Sequence, residues 1–471
     1  MKSALIYPNT NALPEDSFPH LGLGYMAAVA KQEGHTAEIF DMRIKKCAEE
    51  KQYLRDDFDV IGITTTSFTF SEASFIAQSV KEKYPDKIII LGGPHVSIAT
   101  EDIFSKSLFD IGVVGEGEET FSELLGVLDK NRFEELKMIP GLIFFENEKV
   151  VRTGIRPWKI NIDKFPIPDF TSLNMDNYSR FPILTSRGCP FHCTYCCSEI
   201  LWGRKWRFRS PKNLVNEIKH AQDFYNWENK HFVIVDDTFN LDPKRVEAFC
   251  DELLKEKINI NYYIWGFRAD RAPIRMLKKM KESGCIGVSI GVESANPEVL
   301  KKIRKGESIE QITETVNNLK KTGIYPNCLF MIGNPGDSMK TVMETMRYVK
   351  KNRLYLVGFN MALPYPKTEL WNYVENHGKF IQTDYTNFHH FSKNPIFETA
   401  EFTAEERSEA FAFARQLEIR QRLKFEVMRK IDFIIHGDYS SLSIKRLSAA
   451  LSRLKKYFID FVFVRTPKEK L

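Results

Sequence analysis

The sequence is poor in cysteine and has no long hydrophobic run. Eight cysteines in 471 residues are too few for a disulfide scaffold, and a chain of this length builds its cores without covalent staples. No uninterrupted apolar stretch of about 18 residues occurs, which excludes an ordinary membrane-spanning helix. An excess of one charge is missing too. The 67 Lys+Arg and 62 Asp+Glu are interspersed and leave +5 over the whole chain, with no basic block of the kind that binds nucleic acid. Low-complexity segments and short tandem repeats are absent. The opening "MKSALIYPNT" has one lysine and too short an apolar run for an export signal, and reads as a first buried strand. A cytoplasmic protein with reduced thiols is expected.

Residues 1 to 140 alternate short apolar runs ("SALIYP", "DVIGITTTS", "KIIILGG", "FDIGVVGEGEE") with amphipathic stretches ("LGLGYMAAVAKQEG", "SEASFIAQSVKEKYP"). That alternation predicts βαβ units and an open, doubly wound, flavodoxin-like (Rossmann-type) α/β domain. Ligands of such sheets sit beyond the carboxyl ends of the strands. Three of those ends are polar or glycine-rich: Thr64-Thr65-Thr66-Ser67, Gly92-Gly93-Pro94-His95 and Gly115-Glu116-Gly117-Glu118. Glycines there let backbone amides come close to a ligand.

Residues 141–175 read as a hairpin turning at Asn147, followed by a proline-punctuated linker. Within residues 176–370, six strands ("PILTS", "HFVIV", "INYYIW", "IGVSIG", "CLFMI", "VGFNM") alternate with helical stretches such as "SPKNLVNEIKHAQDFY". This predicts a (β/α)6 partial TIM barrel with its chemistry at the carboxyl ends of the strands. Residues 371–471 read as a helical C-terminal domain. Its last amphipathic stretch, "SIKRLSAALSRLKKYFIDFVFV", is basic off its apolar stripe, so it either packs on its own protein or makes a peripheral membrane contact.

Four of the eight cysteines crowd into residues 189–197 of "TSRGCPFHCTYCCSEI". Cys189, Cys193 and Cys196 stand at C-x3-C-x2-C spacing directly after the first barrel strand. A structural zinc site normally takes four closed ligands in two separated pairs. Cys197 adjoins Cys196, neighbouring side chains rarely converge on one tetrahedral ion, and no second pair follows. Three thiolates without a fourth suit a cubane cluster with one iron left open. Cys250, Cys285 and Cys328 fall in helix or strand contexts and are expected to pack as small apolar groups.

With Tyr195 as the aromatic, C-x3-C-x-aromatic-C resembles the signature of radical S-adenosylmethionine enzymes. The segments "VDDTF", "GFRAD", "VSIGVES" and "FMIGNPGDS" resemble that family's later strand ends. The resemblance implies a 4Fe-4S cluster on Cys189, Cys193 and Cys196, with S-adenosylmethionine chelating the open iron. It implies further that Tyr195, Asp236, Arg268, Ser289, Glu293 and Ile332 surround S-adenosylmethionine. Arg268 and Glu293 are the candidates for direct polar contact and Ile332 for packing on the adenine, whereas Asp236 either touches S-adenosylmethionine or substrate or caps a helix. In "PYPKTELW", Lys367 stands where the family more usually has glycine.

The front domain resembles the cobalamin-binding branch of the family through "PHLGLGYMAAVAKQEGHTAEIFD", "LGGPHVS" and "VGEGEETFSELL". Thr65, Ser67, Gly92, Gly93, His95, Gly115, Glu116 and Gly117 are the implied corrin contacts. The D-x-H-x-x-G element that gives cobalt a histidine elsewhere is absent, the nearest text being Asp41-Met42-Arg43. His95 is then either a cobalt ligand or a contact to the corrin tail.

The activity this implies is generation of a 5'-deoxyadenosyl radical and cobalamin-dependent methylation of an unactivated carbon in a small-molecule, lipid or peptide substrate. A flavodoxin or ferredoxin would supply the electrons. Alternatives are an oxidative cyclase or rearrangement enzyme on the same architecture, and a non-catalytic corrin or iron-sulfur carrier. Cys197 either donates hydrogen or fills space, and "NFHHFSKNP" is a candidate for the substrate mouth.

Overall fold

The computed structural model describes residues 1–9, 18–99, 101–104, 108–147, 149–227, 230–389, 392 and 394–436. The first sheet has seven strands: β1 (Lys2–Tyr7), β2 (Thr36–Asp41), β3 (Val60–Thr64), β4 (Ile88–Gly92), β5 (Ile111–Val113), β6 (Leu142–Glu146) and β7 (Lys149–Arg152), in spatial order β2-β1-β3-β4-β5-β6-β7. Helices α1 (Leu21–Gln32), α2 (Lys45–Glu50), α3 (Phe70–Lys83), α4 (Pro94–Ile98) and α5 (Glu118–Asp129) connect the parallel strands. The first five strands pair in parallel in the order 2-1-3-4-5 of flavodoxin-like sheets. The hairpin expected around Asn147 is β6–β7, and Asn147 takes the left-handed conformation a tight turn needs. It does not stand apart, because β6 pairs antiparallel with β5 and so widens the first sheet.

All six barrel strands are present. β8 (Arg180–Ile183) leads into a short ribbon of β9 (Ser186–Arg187) with β10 (Arg207–Phe208), and β11 (His231–Ile234), β12 (Asn261–Phe267), β13 (Cys285–Glu293), β14 (Tyr325–Ile332) and β15 (Leu356–Met361) follow. Apart from the ribbon they form one parallel sheet, β8-β11-β12-β13-β14-β15, in which β8 and β15 are the edges. The intervening helices are α6 (Ser198–Trp202), α7 (Pro211–Phe224), α8 (Pro243–Lys255), α9 (Ile274–Glu282), α10 (Pro297–Lys302), α11 (Ile309–Thr322) and α12 (Met339–Lys351). Several announce themselves in the sequence. Ser210-Pro211, Asp242-Pro243 and Asn296-Pro297 each put a capping side chain at N-cap and proline at the first helical position.

After α13 (Glu369–His377) the chain is not purely helical. β16 (Gly378–Phe380) pairs antiparallel with β17 (Phe397–Thr399) before α14 (Ala404–His436). Gly378 permits that pairing, since a Cβ there would lie 2.5 Å from the Glu398 carbonyl oxygen. The basic amphipathic stretch at 443–464 lies outside the described residues. No helix among the described residues is long and apolar enough to cross a membrane.

The two α/β units are joined by a buried ion network. Glu116, at the end of β5, accepts from Arg187 Nη1 at 2.9 Å and from Arg207 Nη1 at 2.8 Å, and Arg187 also pairs with Glu118. Arg187, Arg207 and Glu118 are buried, and the Glu116 side chain is 8% exposed. Burial works against the Glu116 charge, yet the two guanidiniums hold its carboxyl below the usual carboxylate range. The β9–β10 ribbon thereby grips the third glycine loop of the front sheet. Arg187 also stacks over Phe165 of the linker, 4.6 Å from the ring centre.

Removing one member leaves two buried guanidiniums short of an acceptor, a loss of about 3–5 kcal/mol. Glu116→Ala should therefore add a separate low-temperature transition to a calorimetric scan, as the two units undock before either core melts.

Candidate functional site

The cysteine loop starts from the carboxyl end of β8. Buried Asp236, just past β11, fixes that start: it accepts from Thr185 N and from Ser186 Oγ, both at 2.6 Å, and from the Thr185 hydroxyl. Its carboxylate is thus spent on the backbone that launches the loop and caps no helix. Thr238 Oγ1 donates to Cys189 Sγ at 3.2 Å and Ser198 N to Cys196 Sγ at 3.4 Å. Burial pushes the Cys193 and Cys196 thiols up, and Cys197 up to about 12. Such thiols stay protonated until a metal displaces the proton. Among the described residues no three Cys, His, Asp or Glu side chains converge on a single ion.

A buried charged cluster faces this loop. Glu293, closing β13 in the left-handed region at φ 63°, accepts from Tyr195 Oη at 3.0 Å and from Lys305 Nζ at 3.4 Å. Lys305 also pairs with Glu307 at 3.4 Å, and Glu307 reaches Arg268 at 3.6 Å. Burial opposes the Lys305 charge, but Glu293 and Glu307 outweigh it and hold the amine protonated. Arg268 bonds Asp270 at 2.8 Å and lies over Phe191 of the cysteine loop, 3.5 Å from the ring centre. One of its guanidinium nitrogens, Nη2, is buried without a hydrogen-bond partner among the described residues. A spare donor beside protonated Lys305 and a carboxylate suits a zwitterionic amino-acid moiety such as the methionyl end of S-adenosylmethionine.

Ser289 sits deeper on β13, bridging Tyr263 Oη at 2.9 Å and Asn327 Nδ2 at 3.3 Å across three strands. Ile332 is buried at the end of β14, where its carbonyl accepts from Ala362 N at 2.8 Å.

The second centre is a cavity of about 280 Å³ at the carboxyl ends of β1, β3, β4 and β5. Gly92, Gly93, Gly115, Glu116 and Gly117 line it, with Thr64, Ser97, Leu21, Tyr25 and Met26. A Cβ on Gly92 or Gly115 would meet nothing within 4 Å, so both glycines border open space. Gly93 is glycine for a different reason. Its φ is 94°, and a Cβ would fall 2.6 Å from the Thr65 carbonyl oxygen. Mostly apolar walls with a glycine floor fit the flat heteroaromatic tail of cobalamin. The outer wall comes from the barrel: Leu184, Arg187, and Leu201 and Trp202 of α6. Since α6 begins one residue after Cys197, the cysteine loop and this cavity share a wall.

Of the implied corrin contacts, Thr65, Ser67 and His95 stand outside the cavity. Thr65 buttresses the glycine loop, its N–H donating to the Gly92 carbonyl at 2.9 Å. His95 is fully buried, 3.0 Å from Ser67 Oγ through Nδ1 and packed against Phe70 and Tyr385 at ring separations of 4.6 and 4.7 Å. Burial lowers its pKa to about 4. Glu116 lines the cavity, but its carboxylate is committed to the two arginines. Sequence reasoning missed Arg187, Leu201 and Trp202 as cavity wall, and Lys305 and Glu307 as partners of Glu293. The first three flank the cysteines in the very stretch that drew attention, whereas nothing local marks Lys305. Cys250, Cys285 and Cys328 are all fully buried.

Residues 183–349 match the model of the Radical SAM superfamily and residues 12–125 that of the B12 binding domain. An uncharacterized methyltransferase of Pyrococcus horikoshii is 32% identical over 460 residues, 95% of this chain and 98% of that one. The anaerobic magnesium-protoporphyrin IX monomethyl ester cyclase of Rubrivivax gelatinosus is 26% identical over 79% of this chain and 69% of its own. Among solved structures, the cobalamin-dependent S-adenosylmethionine radical enzyme OxsB, with aqua-cobalamin and S-adenosylmethionine bound, superposes with a TM-score of 0.74 at 17% identity, covering 98% of this chain and 72% of that one. With three cysteines on one loop after the first barrel strand, a glycine-floored cavity on a 2-1-3-4-5 sheet and a relative this similar along the full chain, the protein belongs to the cobalamin-binding radical S-adenosylmethionine family.

Proposed function

We propose that this enzyme transfers a methyl group to an unactivated carbon of a small-molecule substrate. The observation that carries the reading is the wall common to the two centres: α6 joins the cysteine loop to the cavity, so both cofactors would face one reaction space. When bound, the 4Fe-4S cluster and S-adenosylmethionine supply a 5'-deoxyadenosyl radical, and cobalamin supplies the methyl group.

The chain's own residues bind, orient and keep water out. Cys189, Cys193 and Cys196 hold the cluster. Lys305 and the spare Arg268 donor take the methionyl carboxylate, and Glu293, braced by Tyr195, orients the cofactor. An apolar group that includes Met331, Leu363 and Phe388, with Tyr195, Tyr365 and Tyr385 packed against it, excludes water from the barrel mouth. An external donor such as flavodoxin or ferredoxin provides the electrons, and we place the enzyme in the cytoplasm. The similarity to a cyclase supports one second reading, radical oxidation without methyl transfer.

Three experiments test the two cofactor sites and the chemistry. Cys193→Ala should abolish cluster absorbance and 5'-deoxyadenosine formation while leaving cobalamin bound, as read by anaerobic visible spectroscopy of the reconstituted protein. Gly92→Leu puts a side chain into empty space at a position whose φ any residue can adopt. Overpacking of about 1–3 kcal/mol should weaken cobalamin retention by roughly ten- to a hundredfold and leave cluster content unchanged. Mass spectrometry of turnover products decides the chemistry: a gain of one methyl group per substrate supports the methyltransferase, and loss of hydrogens without that gain supports the cyclase.

A further inference from the structure

We infer that Lys367 is a positioning residue that sets the cobalamin cavity in register with the cysteine loop. Lys367 follows β15 and holds φ at 66°, the left-handed region that costs a side-chain-bearing residue energy. A non-glycine residue kept there points to a use for its side chain. Its Nζ donates to the carbonyl oxygens of Ser97 and Ala99, each at 3.3 Å and some 270 residues away in sequence. Both carbonyls lie at the carboxyl end of α4, where a cation is favoured.

The geometry around this bond makes it more than a surface tie. Ser97 lines the cavity, and its Oγ accepts from Gly115 N at 2.9 Å. One residue thus braces the third glycine loop while α4, which carries it, begins directly after the second. Three residues beyond Lys367, Leu370 N donates to the Thr194 carbonyl, between Cys193 and Cys196, at 2.9 Å. The segment Lys367–Leu370 therefore holds the cavity wall with one end and the cysteine loop with the other. Lys367 is not among the residues that line the cavity and acts on it through Ser97.

The inference rests on the cavity being the cobalamin site, so its test has a readout independent of that. Hydrogen exchange is followed in cofactor-free full-length protein for wild type, Lys367→Gly, Lys367→Met and Lys367→Arg, alongside cobalamin affinity. Lys367→Gly removes the side chain and relieves the backbone, so its melting temperature should match or exceed that of wild type. Its amides in 93–99 and 113–117 should nevertheless exchange about tenfold faster as the charge-assisted contact to the two carbonyls is lost, and cobalamin affinity should fall with them. Lys367→Met, which keeps the backbone strain, should show the same faster exchange and weaker cobalamin binding, and Lys367→Arg should restore protection. Wild-type exchange and affinity in both Lys367→Gly and Lys367→Met would overturn the role. Wild-type protein that takes up no cobalamin would instead refute the reading of the cavity and leave the exchange result standing.

Discussion

The architecture depends on the grip of Arg187 on Glu116 and Glu118 and of Arg207, through both terminal nitrogens, on Glu116. Two α/β units with separate sheets would ordinarily move against each other, because interfaces between domains are small and polar. Here the contact is a buried network in which each carboxylate is paired with at least one guanidinium, and its geometry leaves little freedom. The arginines come from a ribbon that brackets the cysteine loop, and the carboxylates from a loop that floors the cavity. The interaction that docks the units is therefore also the one that sets the two cofactor centres side by side.

That economy explains why charge alone does not mark the site. Glu116 sits inside a glycine loop and reads as a cofactor contact, and Arg187 sits two residues before Cys189. Each spends its charge on the other. Asp236 follows the same logic, closing a strand end where catalytic groups gather and giving its acceptor capacity to Thr185 and Ser186. At strand ends of a barrel, part of the polar inventory serves to hold loops in place, and only the hydrogen-bond partners tell the two uses apart.

Much of the fold was legible in the sequence, because period and punctuation both act locally. Alternating apolar runs, the amphipathic stretches between them and the turn at Asn147 located the strands and helices of both α/β units. The cysteine spacing was legible for the same reason, since one short loop carries all three thiols. What stayed hidden is nonlocal. His95 reads as a rim residue, yet Tyr385 of the C-terminal region packs on it and takes it away from the cavity. Lys305 is one lysine among many until β13 brings Glu293 beside it. The pairing of β6 with β5 likewise depends on an open sheet edge that no sequence window contains.

The outer wall of the cavity, built by Leu201 and Trp202, ties ligand binding to docking. Any group lodged there touches both units at once, so whatever it gains from Leu201 and Trp202 it gains only while the units are docked. By linkage, a bound group stabilises the docked arrangement by the same free energy that docking adds to its binding.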